Sequence, residues 1–127
     1  MLVDVAPGWK TELDRGPGWL IVKLYGPEGD DADAAGLADS LRTMLCQEFK
    51  ERLLLELEHV RDMPLDLVDE LHRLRDELEG QGAILRLCGM AAEHESRLYA
   101  SDFAERFMHY RDRAEAIAGF FRPGKPR

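Results

Sequence analysis

Between Glu56 and Asp66 the chain gathers Glu56, Glu58, His59, Asp62 and Asp66, a density of acids of the kind that holds magnesium or accepts a phosphoryl group. Either chemistry needs several oxygens converging on one point. Strand alternation puts Glu56 and Glu58 on the same face, but the acid pair, threonine and lysine that assist an aspartyl phosphate find no convincing places, so neither a metal nor phosphoryl transfer is assigned. His59, His72, His94 and His109 lie far apart, without HExxH spacing or a serine or cysteine nucleophile beside them, and read as surface or packing histidines. Cys46, expected on the apolar side of a helix, and Cys88, at a strand end, form no CxxC and read as small buried hydrophobes. Gly16 to Gly18 and Gly80 to Gly82 are too short for a phosphate loop and read as turns.

The acids sit where an apolar run, RLLLELEHV, passes through RDMPLD into the helical pattern LVDELHRLRDEL. Such a strand-loop-helix junction collects backbone N–H groups and the positive end of a helix dipole, which favours the acid at Asp66. Pro64 restricts Met63 to an extended shape, so Met63 and Leu65 are expected to point apolar side chains outward. Upstream, Trp9 to Asp14 is a weak strand, Gly16 to Gly18 a hairpin turn, and WLIVKLY at Trp19 to Tyr25 a second strand. An acidic loop at Pro27 to Asp33 leads to a helix with an apolar stripe of Ala34, Leu37, Leu41, Met44, Leu45 and Phe49. The strand Arg52 to Glu58 reads as buried on both faces, as a central parallel strand is. The following helix buries Leu67, Val68, Leu71, Leu74 and Leu78, with Asp69–Arg73 and Arg75–Glu79 spaced for i,i+4 ion pairs outside.

AILRLC at Ala83 to Cys88 is a further strand, followed by a short helix around Ala92 to Tyr99 and a short strand at Arg106 to His109. A terminal helix from about Arg111 to Phe120 uses Ala114, Ile117 and Phe121 as its apolar side, and the tail 122–127 is expected to be disordered. The aromatics Trp9, Trp19, Tyr25 and Phe107 are assigned to packing. Two strands followed by helices alternating with strands predict an α/β domain with a mixed sheet of four or five strands, the first antiparallel, and helices on one side.

The 127 residues suit one domain, at 45% hydrophobic and 33% charged, with a net charge of −8 that opposes nucleic acid as a partner. No apolar run reaches the roughly 20 residues of a membrane span, and the first residues lack the plan of a signal peptide, so a cytoplasmic location without membrane insertion is expected.

Four segments carry a resemblance to the STAS domains, a family that includes bacterial anti-sigma factor antagonists. WLIVKLYG is similar to the family's second strand, and LLLELEHV to its strand-ending V-D-L-S-x-V. QGAILRLCGM resembles G-x-x-L-x-L-x-G, and FAERFMHYRDRAEA resembles the closing L-x-x-x-F-x-x-Y-x-x-x-x-E-A. Their order and spacing agree from about Gly18 to Phe120, which implies a STAS-like domain over 1–121. In phosphorylated members the loop after the third strand reads Asp-Ser-Ser/Thr-Gly-Leu. Here Pro64, Leu65, Asp66, Leu67 and Val68 stand in those places, so the phosphoacceptor is missing and Asp66 occupies the degenerate phosphorylation position.

The resemblance implies a non-catalytic module that binds a regulatory protein, such as a kinase-like anti-sigma factor, by occupying its surface. The partner-binding residues would be Met63, Pro64, Leu65, Asp66, Leu67 and Asp69 with Pro27, Glu28, Asp30 and Asp31 of the neighbouring loop. No cofactor or metal is implied. Asp66 either caps its helix or partly mimics a phosphoserine, with less charge and a shorter reach. Two other classes stay open: a small-molecule or nucleotide sensor, and an accessory subunit of a membrane transporter. The partner's identity and the oligomeric state are not legible.

Overall fold

The computed structural model of the protein describes residues 2–16, 18–94 and 109–118. Among the described residues six strands form one sheet in sequence order: β1 Leu2–Ala6, β2 Trp9–Gly16, β3 Trp19–Tyr25, β4 Arg52–Glu56, β5 Ile84–Cys88 and β6 His109–Tyr110. β1, β2 and β3 are antiparallel neighbours, whereas β3 to β6 run parallel. The parallel pairs need crossovers. Helix α1 (Leu37–Gln47) carries the chain from β3 to β4, and α2 (Leu65–Gly80) carries it from β4 to β5. A short α3 (Arg113–Ala118) follows β6.

The centre of the sheet is buried on both faces, as its unbroken apolar runs require. Leu20, Val22 and Leu24 of β3 with Leu53 and Leu55 of β4 meet Leu37, Leu41 and Leu45 of α1 and Leu67, Leu71, Leu74 and Leu78 of α2 in the main core. The intervening residues Trp19, Ile21, Leu54 and Cys88 point the other way and pack with Tyr110 and Ala116. Thus α1 and α2 lie together as expected, while α3 takes the opposite face. On α3 Ile117 packs on this second core as expected, but it is Ala116 that is buried beside it while Ala114 is exposed. Phe121, Phe107, most of the helix expected at Ala92 to Tyr99, strand residues 106–108 and the tail 122–127 lie outside the described residues.

Other departures have local causes. β1 adds a sixth strand, whose Leu2, Val3 and Asp4 are all exposed, so its sequence has no burial alternation to reveal it and pairing with β2 defines it. Phe49, expected in the core, is 93% exposed at φ 56°, just beyond the end of α1. Its N–H donates to Cys46 O and that of Lys50 to Leu45 O, the paired bonds of a Schellman ending in which a left-handed residue closes the helix. Cys46 is exposed rather than buried, whereas Cys88 is buried as expected. Arg75 pairs with Glu79 at 3.0 Å, but Arg73 turns from Asp69 to reach Glu77 at 3.3 Å and Asp39 of α1 at 3.5 Å. That choice joins the two helices instead of decorating one.

Candidate functional site

Loops that follow parallel strands open at the carboxyl end of a sheet, where α/β folds most often place their sites. Here the loop after β3 (residues 26–36) and the loop after β4 (57–64) emerge side by side. Gly26 and Val60 form a parallel bridge, the Arg61 N–H donates to Gly26 O at 2.8 Å, and the Arg61 guanidinium donates to Pro27 O. A third element, the turn between β1 and β2, clasps the first loop from outside: Glu28 N–H donates to Gly8 O at 2.9 Å and Asp33 N–H to Pro7 O at 2.8 Å. Gly8 has φ +81°, and a Cβ there would lie 2.5 Å from Ala32 Cβ, so only glycine permits this approach. The sequence reading missed the turn because it places no side chain at the site. A Pro-Gly pair near the start of the chain was its one visible trace.

Asp66 occupies the first turn of α2, but it does not cap that helix. The N-cap is Pro64, without a side-chain bond. Asp66 Oδ2 instead accepts the Ala34 N–H at 3.0 Å, and one turn later Glu70 Oε1 accepts the Ala38 N–H at 2.9 Å. Ala34 and Ala38 are fully buried and stand at the entry of α1, whose N-cap Gly36 has no side chain to offer. The i,i+4 spacing of two acids on α2 thus matches the i,i+4 spacing of two amide hydrogens on the α1 approach. Asp66 is a clasp between the two loops. Glu70, which the sequence reading passed over, shares that task; its signal was an acid one turn after Asp66.

Of the expected partner-binding residues, Leu65 is 74% exposed, Asp66, Asp69, Glu28, Asp30 and Asp31 are exposed, and Pro27 and Pro64 are half-buried. Met63 and Leu67 are corrections, for they lie in the core at 2% and 0% exposure. The extended backbone before Pro64 turns Met63 inward against the sheet and leaves Leu65 alone to face solvent. With Asp33, Glu58 and Asp62 also exposed, the loops at this end of the sheet are rich in exposed acids, opposed locally by Arg61 and by Lys10, whose ammonium stands 3.9 Å from Glu28.

The remaining acid of the sequence cluster leaves the rim altogether. Glu56 is 4% exposed on the opposite face, where Arg113 donates to both its oxygens at 2.7 and 3.1 Å. His59 is exposed and stacks on Tyr25 with ring centroids 4.6 Å apart, while the Tyr25 hydroxyl donates to Glu12 at 3.1 Å. Burial, then the bond to Glu12, pushes the Tyr25 hydroxyl above its usual pKa. Burial also pushes the Cys88 thiol up to about 12, so it stays protonated. Among the described residues no three His, Cys, Asp or Glu side chains converge as metal ligands do. A groove of about 370 Å³ lies at the far end of α1 and α2, lined by Arg42, Thr43, Cys46, Gln47 and Gln81. It is remote from the loops.

No family model and no curated protein matches the chain. Solved structures do. The phosphorylated form of the Bacillus cell fate determinant SpoIIAA superposes over 86% of this chain and 97% of its own, with a TM-score of 0.60 at 15% identity. The fold is that of SpoIIAA. The anti-sigma factor antagonist SpoIIAA in its unphosphorylated form matches likewise, at TM-score 0.57 and 12% identity over 86% of this chain and 94% of that one. The STAS-like architecture expected from four short segments is therefore the one observed. At such identities the likeness is one of fold, and the chemistry of the loops has to be argued from this chain's own residues.

Proposed function

We propose that this chain is a non-catalytic regulatory interaction domain that acts as an anti-sigma factor antagonist does, by occupying the surface of a regulatory protein such as a kinase-like anti-sigma factor in the cytoplasm. The observation that carries this reading is the loop end itself: on a SpoIIAA-like fold, three backbone segments are hydrogen-bonded together and Leu65 stands exposed at the start of α2, one residue before the Asp66 that bonds to them. A surface already ordered before binding loses little entropy on docking. The contacts assigned are Leu65, Asp66, Asp69 and Pro64 from the α2 start with Pro27, Glu28, Asp30 and Asp31 from the facing loop. Met63 and Leu67 support them from the core.

The segment Pro64 to Val68 contains no hydroxyl group, and the Asp66 carboxylate already accepts the Ala34 N–H. Asp66 therefore serves as a fixed clasp in this reading, neither a cap of its own helix nor a detached stand-in for phosphate. The surface is presented permanently instead of being switched at this loop. Its exposed acids favour a partner with a basic face, whose approach electrostatics would steer and salt would slow.

Titration calorimetry against the purified kinase-like regulator encoded nearest the gene tests the reading. Binding should be lost with Leu65→Asp and retained with Thr43→Asp at the far end. Heat from nucleotides or transporter-derived peptides, with none from the regulator, would move the assignment to one of the other two classes.

A further inference from the structure

Two of the large apolar side chains left exposed, Phe49 at 93% and Ile84 at 42%, stand at the amino end of the parallel strands, opposite the loops. Their backbones are neighbours, for the Ile84 N–H donates at 2.9 Å to the carbonyl of Glu51, two residues after Phe49. Phe49 gives the fold nothing and costs it something. Its ring lies outside the core, and its φ of 56° is a conformation that a Cβ disfavours, an exception of the kind from which a contact is inferred. The charges at this end also differ in sign from those of the loops. Lys50 and the exposed Arg52 form no ion pair among the described residues, and the Arg52 guanidinium lies over the Trp19 ring at 5.8 Å instead. Glu48 is taken by Arg15 at 2.6 Å, which leaves Glu51 against them. In a chain of net charge −8 this is a local end that is both cationic and apolar. The loop end is its counterpart, with Leu65 74% exposed next to Asp66, Asp69 one turn on, and Asp30 and Asp31 exposed in the facing loop.

We propose that these two ends bind each other between copies of this chain: the Phe49 and Ile84 end of one copy, with Lys50 and Arg52, seats on the Leu65 end of the next. The contact takes a different surface from each copy, and the two surfaces lie at opposite ends of the strands, so it joins copies in series instead of closing a two-fold pair. Opposite charges act across the contact, while the net charge of each copy is screened beyond a Debye length at physiological salt. Covering Phe49, Ile84 and Leu65 together supplies the apolar burial. The loop end covered in this way is the one assigned above to a regulator, and the inference rests on that reading for its meaning: the concentration of the chain sets how many loop ends are free to dock. The association itself involves no regulator and is measured without one.

Sedimentation of the full chain alone, from micromolar to millimolar concentration, tests this. The parent's weight-average mass should rise with concentration without stopping at two chains, and salt added above the physiological level should lower it. Phe49→Gly, which suits the backbone at that position, Leu65→Asp and Arg52→Glu should each weaken the association by about tenfold or more. Phe49→Gly keeps its loop end and Leu65→Asp keeps its Phe49 end, so a mixture of the two should recover one contact and give pairs that grow no further. A parent that stays monomeric at every concentration would overturn the proposal. So would a mass that stops at two chains, association of Phe49→Gly equal to the parent's, or a mixture in which both variants stay monomeric.

Discussion

Replacing Asp66 and Glu70 separates a loop clasp from a helix cap or a phosphate mimic. In Asp66→Ala the buried Ala34 N–H loses its acceptor, and in Glu70→Ala the buried Ala38 N–H loses its own. A buried donor left without a partner costs about 1 to 3 kcal/mol. Asp66 is exposed, so water can reach the vacated position, and about 1 kcal/mol is expected there. Glu70 has a side chain only 12% exposed and stands at the dipole end of α1, so about 2 kcal/mol is expected. In urea unfolding both variants should shift the midpoint without changing the slope. Asp66→Asn keeps an oxygen that accepts the same N–H, and should recover most of the loss. A phosphate mimic would predict the opposite pattern, with stability unchanged and binding lost in Asn and Ala alike. Midpoints for all three variants within about 0.3 kcal/mol of the parent, below what a lost buried bond allows, would refute the clasp.

Three other substitutions and one titration follow from the same geometry. Leu65→Ala should leave stability within about 0.5 kcal/mol of the parent, as exposed positions do, while lowering affinity for the regulator; a fall in the urea midpoint above that would place Leu65 in the fold's support. Phe49→Gly should raise stability by about 1 kcal/mol, because glycine adopts φ 56° at the end of α1 without the clash a Cβ makes, and thermal unfolding at a lower temperature than the parent would contradict this. Hydrogen bonds from Arg113 and Arg15 hold the Asp14 and Glu48 carboxyls below their usual pKa values of 3.8 and 4.5. A lowered folded pKa gives stability that is complete above the ordinary value and lost as pH falls through the folded one, so urea midpoints should drop below about pH 4. In Arg15→Met that drop should be shallower, and an unchanged acid slope would remove Glu48 from the account.

Much of the fold was legible because its signals are local and periodic. WLIVKLY reads as a strand and LLLE as one buried on both faces, and Leu67, Val68, Leu71, Leu74 and Leu78 mark one helix side that the structure reproduces in full. What escaped depends on contacts between distant segments. Arg113 finds Glu56 across 57 residues and draws α3 to the second face, which no helical period announces. β1 exists through its partner, and Phe49 obeys the geometry of a helix ending instead of the stripe that it numerically continues. At the site, the sequence located the two loops and their acids. It misjudged Met63, because Pro64 fixes the backbone shape of its neighbour but not the side on which the core lies. It also left the role of Asp66 open between two readings, neither of which included an amide 32 residues away.

The most direct test of the central claim is the calorimetric affinity of the regulator for four chains: the parent, Leu65→Asp, a double Asp30→Lys and Asp31→Lys variant, and Thr43→Asp. The account predicts that both loop-end variants weaken binding at least tenfold, that added salt weakens the parent's binding, and that Thr43→Asp matches the parent. Equal affinity across all four chains would contradict it.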